Sequence, residues 1–230
     1  MHSTITPTDT QPSYYDISIP LHHQMITWPG DPAVDIQRTA DVCCGDFCTL
    51  SRLNMGSHTG THVDAFAHFK PNDATLDEMP LDPYLGSAKV IAVEHPHCIT
   101  AEALEAWNLA GVERVLIQTR NSTRVPAWYQ QPFDEQFVHL TPEAARYLIA
   151  CGVRLVGVDY LSVDGFHAVG VPVHHLLMNH RVYILEGLFL GHIAPGDYEL
   201  ICLPLRLAQG DGAPARAILR PLHPKRLQEG

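Results

Sequence analysis

Basic residues are scarce in this chain of 230. Lys and Arg total 15 against 25 Asp and Glu, giving a formal charge of −10. That balance excludes a nucleic-acid or anionic-membrane binder, since both need basic patches. Long apolar runs are missing as well. No stretch approaches about eighteen consecutive apolar residues, so no membrane span is expected. Met1 to Ser13 lacks the basic start and apolar centre of a secretory signal, and the sequence reads as cytoplasmic. Charged residues make up 17% and hydrophobic ones 46%, which excludes a disordered chain and a coiled coil. There is no Gly-x-Ser-x-Gly elbow, which weakens an α/β-hydrolase reading. The six cysteines (Cys43, Cys44, Cys48, Cys98, Cys151 and Cys202) fit no usual zinc spacing. No internal repeat or low-complexity block occurs.

Histidine is what the chain has in excess. Its fifteen copies equal Lys and Arg combined, which raises a metal or acid–base role. Residues 1–13 read as a flexible tail and 14–230 as one domain. Strand patterning is expected at Tyr14–Ile19, Val34–Arg38 and Cys48–Met55. From Ala88 the pattern becomes α/β, with strands at Lys89–Val93, Val115–Thr119, Val153–Val158 and Val182–Glu186. Thr100 is expected to cap a helix over Ala101–Ala110. Thr141-Pro142-Glu143 opens a second helix that runs through Cys151 and stops at Gly152. Pro172–Asn179 is a short third. Tyr198–Leu207 and Ala213–Leu219 are strands again. Helices on a sheet with a further β layer give a mixed α/β domain.

The densest chemistry lies in Ser57–Phe69, SHTGTHVDAFAHF, which holds His58, His62, Asp64 and His68. His58 is expected at a strand end or turn, with a helix starting near Thr61. Gly60 would allow a sharp turn or a close backbone approach. Imidazole plus carboxylate suits zinc, manganese or iron(II). Two His and one Asp from one segment leave coordination positions open, as a catalytic site requires.

This segment resembles the signature of the cyclase-like metal hydrolases, His-x-Gly-Thr-His-x-Asp-x-x-x-His. That family includes bacterial kynurenine formamidases and isatin hydrolases. The likeness extends to Asp16-Ile17-Ser18, Trp28-Pro29-Gly30-Asp31, Gly157–Ser162, Pro172-Val173-His174, Ile184–Leu188 and Asp211–Arg216. It implies a swivelling β/β/α fold and a metal held by His58, His62 and Asp64. A second metal would share Asp64 with a His and a Glu twelve residues apart. His174 and Glu186 have that spacing, and His175 is the competing neighbour. The resemblance implies one or two divalent ions per chain, zinc preferred and manganese the alternative. It also implies a homodimer or homotetramer.

A divalent metal lowers the pKa of bound water from about 15.7 to about 7, so no Ser or Cys nucleophile is needed. His68 lies outside the ligand set and is the expected proton shuttle. Trp28 is a candidate wall for a planar aryl substrate, and Phe66 is expected to line the same pocket. Many relatives carry Pro where Phe66 stands. Thr119, Asn121, Asp159 and Ser162 are read first as loop caps or turn formers. The resemblance favours hydrolysis of N-formyl-kynurenine to kynurenine and formate as the reaction. Opening of a cyclic amide such as isatin, or of another small amide or lactone, is the alternative. A metal-binding sensor without turnover is the reading from another class.

Overall fold

Continuous apolar runs in the middle of the chain form the parallel centre of a sheet. The computed structural model describes residues 12–124 and 127–222, so the expected tail lies almost wholly outside the described residues. The strands are β1 (Tyr15–Asp16), β2 (Asp35–Ala40), β3 (Leu50–Asn54), β4 (His62–Asp64), β5 (Leu85–Ala92), β6 (Cys98–Ile99), β7 (Arg114–Gln118), β8 (His139–Leu140), β9 (Leu155–Val158), β10 (Tyr183–Glu186), β11 (Gly196–Pro204) and β12 (Gly212–Pro221). The α-helices are α1 (Ala101–Glu105), α2 (Arg120–Thr123), α3 (Pro142–Ala150) and α4 (Pro172–Asn179). The main sheet runs β1-β12-β11-β5-β7-β9-β10-β4, and β4 also pairs with β12. Seven strands therefore close into a barrel-like ring, with β1 added at β12. The pairs β5–β7, β7–β9 and β9–β10 are parallel. The other pairs of the ring are antiparallel. This mixed α/β architecture agrees with the expected fold class.

The strand centres are dry. All five residues of β7 and all four of β9 and of β10 are buried. Leu116, Ile117, Leu155, Val156 and Leu185 join one large apolar core. Helix α3 packs against α1 and α4. Its start is as expected, with Thr141 Oγ1 accepting from Ala144 N–H at 3.1 Å and Pro142 in the first turn. Helix α1 is shorter than expected. Thr100 caps it, but it ends at Glu105 instead of Ala110. Trp107 donates its indole N–H to Ala92 O at 3.2 Å, and Asn108 Oδ1 accepts from Ala110 N–H at 3.3 Å. Both contacts favour a turn over a further helical turn.

A second correction concerns the histidine segment. No helix starts near Thr61. Residues 62–64 are strand, and only a single 3-10 turn, Phe66–His68, follows. The four-residue spacings of His58–His62 and Asp64–His68 fit a helix face, but pairing on both edges overrides them. His62 lies opposite Glu186 of β10 and Pro214 of β12.

Candidate metal centre

Strand β4 closes the ring and carries the centre. Side chains alternate along a strand, so His62 and Asp64 share one face while Val63 enters the main core. The register pair His62–Glu186 brings the β10 carboxylate to that face. Two glycines allow the close fit. Gly187 has φ +70, and a Cβ there would lie 2.1 Å from Gly60 O. Gly60 also has φ +70, a left-handed backbone that costs other residues strain. Thr61 Oγ1 fastens the junction, donating to Gly187 O at 2.6 Å and accepting from Ile19 N–H at 2.9 Å.

Asp64 lies at the middle of the centre. Its Oδ1 is 2.9 Å from His58 Nδ1 and 3.6 Å from His62 Nε2. Its Oδ2 is 3.5 Å from His174 Nε2. Glu186 approaches His62 Nε2 at 3.2 Å and His174 Nε2 at 3.3 Å. Glu186 Oε1 also accepts from Val163 N–H at 2.7 Å. His58, His62 and Asp64 thus form one potential ligand trio, and Asp64, His174 and Glu186 another. Of the two neighbours, His174 is the buried member and His175 is exposed.

The residues fit a metal ion on a structural test. His62 Nε2 and Asp64 Oδ2 are buried, yet neither makes a hydrogen bond among the described residues. Leaving such groups unpaired is costly. A divalent cation between them would remove that cost. The other nitrogen of each ligand imidazole is already held. His62 Nδ1 is 2.9 Å from Gly60 O, and His174 Nδ1 is 2.6 Å from Asp164 Oδ2. Such outer partners fix the tautomer a metal needs.

The electrostatics agree. Burial depresses the His58 imidazole, but the Asp64 hydrogen bond and charge outweigh it and raise the group to about 9. His174 rises to about 10, with the Asp164 and Glu186 hydrogen bonds overcoming its burial. Burial raises Asp64, yet the three imidazoles hold its carboxyl well below the usual range. His68 moves the other way, lowered chiefly by burial. Its ring stacks on His58 with centroids 3.8 Å apart, at the half-open rim.

The remaining candidates divide. Trp28 sits in a separate aromatic cluster with Phe133, Phe137 and Phe166, at centroid distances of 5.3, 6.2 and 5.5 Å. Phe66 is placed in the main core, 4% exposed, with its ring against Tyr183 and the Arg181 guanidinium over it. Those contacts describe core filling and not a pocket wall, because Phe66 follows the buried strand into the core. Asp159 accepts from Thr119 and Ser122, both by backbone N–H and by hydroxyl, and from Asn121 Nδ2. These four residues build a buried turn, as turn formers do. Ser162 Oγ accepts from Asp164 N–H at 3.1 Å.

Two carboxylates at the centre were not singled out by the sequence. Asp164 caps α4 by accepting from Val173 N–H and His174 N–H at 3.0 and 2.9 Å. It lies ten residues from His174, too far for a local capping signal. Asp211 reaches His58 from the start of β12, 153 positions away.

Comparison with known proteins places this geometry. The Cyclase family model matches residues 15–165. The kynurenine formamidase of Bacillus cereus is 37% identical over 209 residues, covering 91% of this chain and 98% of that protein. The solved structure of a potential metal-dependent hydrolase with cyclase activity aligns with TM-score 0.78 at 31% identity, covering 92% of this chain and 98% of that chain. Isatin hydrolase A from Labrenzia aggregata, solved with benzyl benzoate, aligns with TM-score 0.72 at 25% identity, covering 90% and 92%. No helix among the described residues is long and apolar enough to cross a membrane. With a family model over more than half its length and a relative matched nearly end to end, the chain belongs to the Cyclase family.

Proposed function

We propose that this protein is a metal-dependent amidohydrolase that cleaves N-formyl-kynurenine to kynurenine and formate. The carrying observation is the buried pair His62 Nε2 and Asp64 Oδ2, which lack hydrogen bonds among the described residues although they lie amid three further ligand-type groups, His58, His174 and Glu186. His58, His62 and Asp64 hold one divalent ion. Asp64, His174 and Glu186 are built to hold a second. Imidazole with carboxylate suits zinc, with manganese as the alternative. Such an ion, when bound, acidifies water and polarises a carbonyl.

The chain's own groups supply the rest. His68 accepts a proton from the attacking water and returns it to the leaving nitrogen. Its lowered pKa keeps it neutral and able to accept at pH 7. Trp28, with Phe133 and Phe166, offers flat apolar faces for an aryl group. The relative from Bacillus cereus, a kynurenine formamidase, supports this substrate class. The likeness to isatin hydrolase A favours cyclic amide opening as the second reading. The proposal includes a cytoplasmic place and a homodimer or homotetramer, which the solution mass of the purified protein tests.

The deciding experiment assays N-formyl-kynurenine and isatin side by side, with and without chelator. The formamide should turn over faster, lose activity on chelation and regain it with zinc or manganese. Full activity in metal-free protein would overturn the mechanism. Faster turnover of isatin would overturn the substrate.

A further inference from the structure

Asp211 stands immediately before β12 and is held against the metal centre by backbone. Its O accepts from Ala65 N–H at 2.9 Å, which ties it to the residue after Asp64. Its Oδ2 accepts from Ser57 Oγ at 3.0 Å and lies 3.1 Å from His58 Nε2. The same oxygen is 4.0 Å from His68 Nδ1. The His58 ring is closely walled. His68 stacks on one side, and His62 meets it edge-on at 5.1 Å. At Gly212 a Cβ would lie 2.5 Å from His58 Cε1, so only glycine leaves room for the ring beside the Asp211 carboxylate.

His58 therefore has two chemically different nitrogens. Nδ1 faces Asp64, in the trio with His62. Nε2 faces Asp211. A ligand imidazole binds through one nitrogen and keeps its hydrogen on the other, and a carboxylate on that hydrogen fixes the choice. His174 shows the same arrangement with Asp164, and His62 with Gly60 O.

We infer that Asp211 is a positioning residue of the metal centre: supported by Ser57, it accepts the Nε2 hydrogen of His58 and turns Nδ1 toward the ion shared with His62 and Asp64. This rests on the metal-dependent reading above. It goes further by naming the ligand atom and the residue that selects it. The competing arrangement is an ion bound by His58 Nε2, His68 and Asp211 themselves, since those three also converge.

The test reads metal and nitrogen, not turnover. Zinc affinity is measured by competition with a chromophoric chelator for wild type, Asp211→Asn, Asp211→Ala and Ser57→Ala. Loss of an outer partner of this kind weakens binding about 10–100-fold. Asp211→Ala should show that loss. Asp211→Asn, which keeps an acceptor oxygen, should recover most of it. Wild-type affinity in Asp211→Ala would overturn the role. An equal loss in Asn and Ala would overturn it as well, since that marks a direct ligand. Should the alanine variant fail to fold, wild type decides alone. In zinc-loaded protein with 15N-labelled histidine, His58 should carry its hydrogen on Nε2 and the metal on Nδ1. The reverse assignment overturns the inference. Absence of zinc binding by wild type would remove the metal-dependent reading and this one together. Zinc binding by wild type together with unchanged affinity in Asp211→Ala, or with the reverse nitrogen assignment, removes only this one.

Discussion

The carboxylate of Asp164 does two things to His174 at once. It accepts the backbone N–H at the start of α4, and its Oδ2 lies 2.6 Å from the ring Nδ1. The helix and the imidazole are therefore aimed by one side chain. Asp164→Ala should weaken zinc binding about 10–100-fold through the ring. It should also remove about 1 kcal/mol of folding stability through the lost cap. Metal titration and denaturant unfolding of chelated protein measure the two effects separately. Unchanged zinc affinity would refute the link between Asp164 and the centre.

His68 is next to the ligands without belonging to the buried trios around Asp64. His68→Ala should retain wild-type metal content and lose about 10²–10⁴-fold in kcat, the usual worth of a positioned acid–base group. Elemental analysis with steady-state kinetics decides. Loss of metal in that variant would make His68 a ligand instead.

Proton release should accompany metal loading. Without an ion, the carboxylates hold His58 and His174 in their charged forms up to about 9 and about 10. Both values lie above the ordinary 6.5. The stability these groups contribute to metal-free protein is thus complete below pH 6.5 and is lost as pH rises through 9 to 10. A metal takes neutral imidazole, so binding near pH 7.5 must expel these protons and tighten as pH rises. Calorimetry in two buffers of different protonation enthalpy counts the protons. Buffer-independent heats would contradict the assignment.

Gly187→Ala tests the backbone contact that joins the two ligand segments. Its Cβ would meet Gly60 O, and its φ of +70 disfavours any side chain. Overpacking costs about 1–3 kcal/mol and the left-handed backbone about 1–2 kcal/mol more. Urea denaturation should show a loss within the sum of those ranges, together with weaker metal binding. A variant as stable as wild type would show that the segments can separate freely.

Much of this was readable in the residues themselves. His58, His62 and Asp64 stand out as a cluster within one segment, the family resemblance adds His174 and Glu186, and all five converge. The helix caps at Thr100 and Thr141 were legible because capping is local. What failed was set by distant partners. A helix was expected to start near Thr61, after His58 at a strand end or turn, but β10 and β12 claim both edges of that segment. Phe66 was expected at a pocket and is packed on Tyr183, a contact 117 positions away that no local pattern encodes. Asp164 and Asp211 escaped notice for the same reason. Each is an ordinary loop carboxylate until the sheet closes and sets it beside an imidazole.

Closure itself has a consequence for damaged forms of the protein. Strand β4 is three residues long, yet among the described strands it is the one paired with both β10 and β12. Were it to peel away, the ring would become an open sheet, with unpaired amides and carbonyls along β10 and along the part of β12 that β1 does not cover. Such edges recruit other strands. A lesion in the ligand segment is therefore a hazard to solubility as well as to chemistry, and inactive variants of β4 should be the ones that accumulate as aggregates.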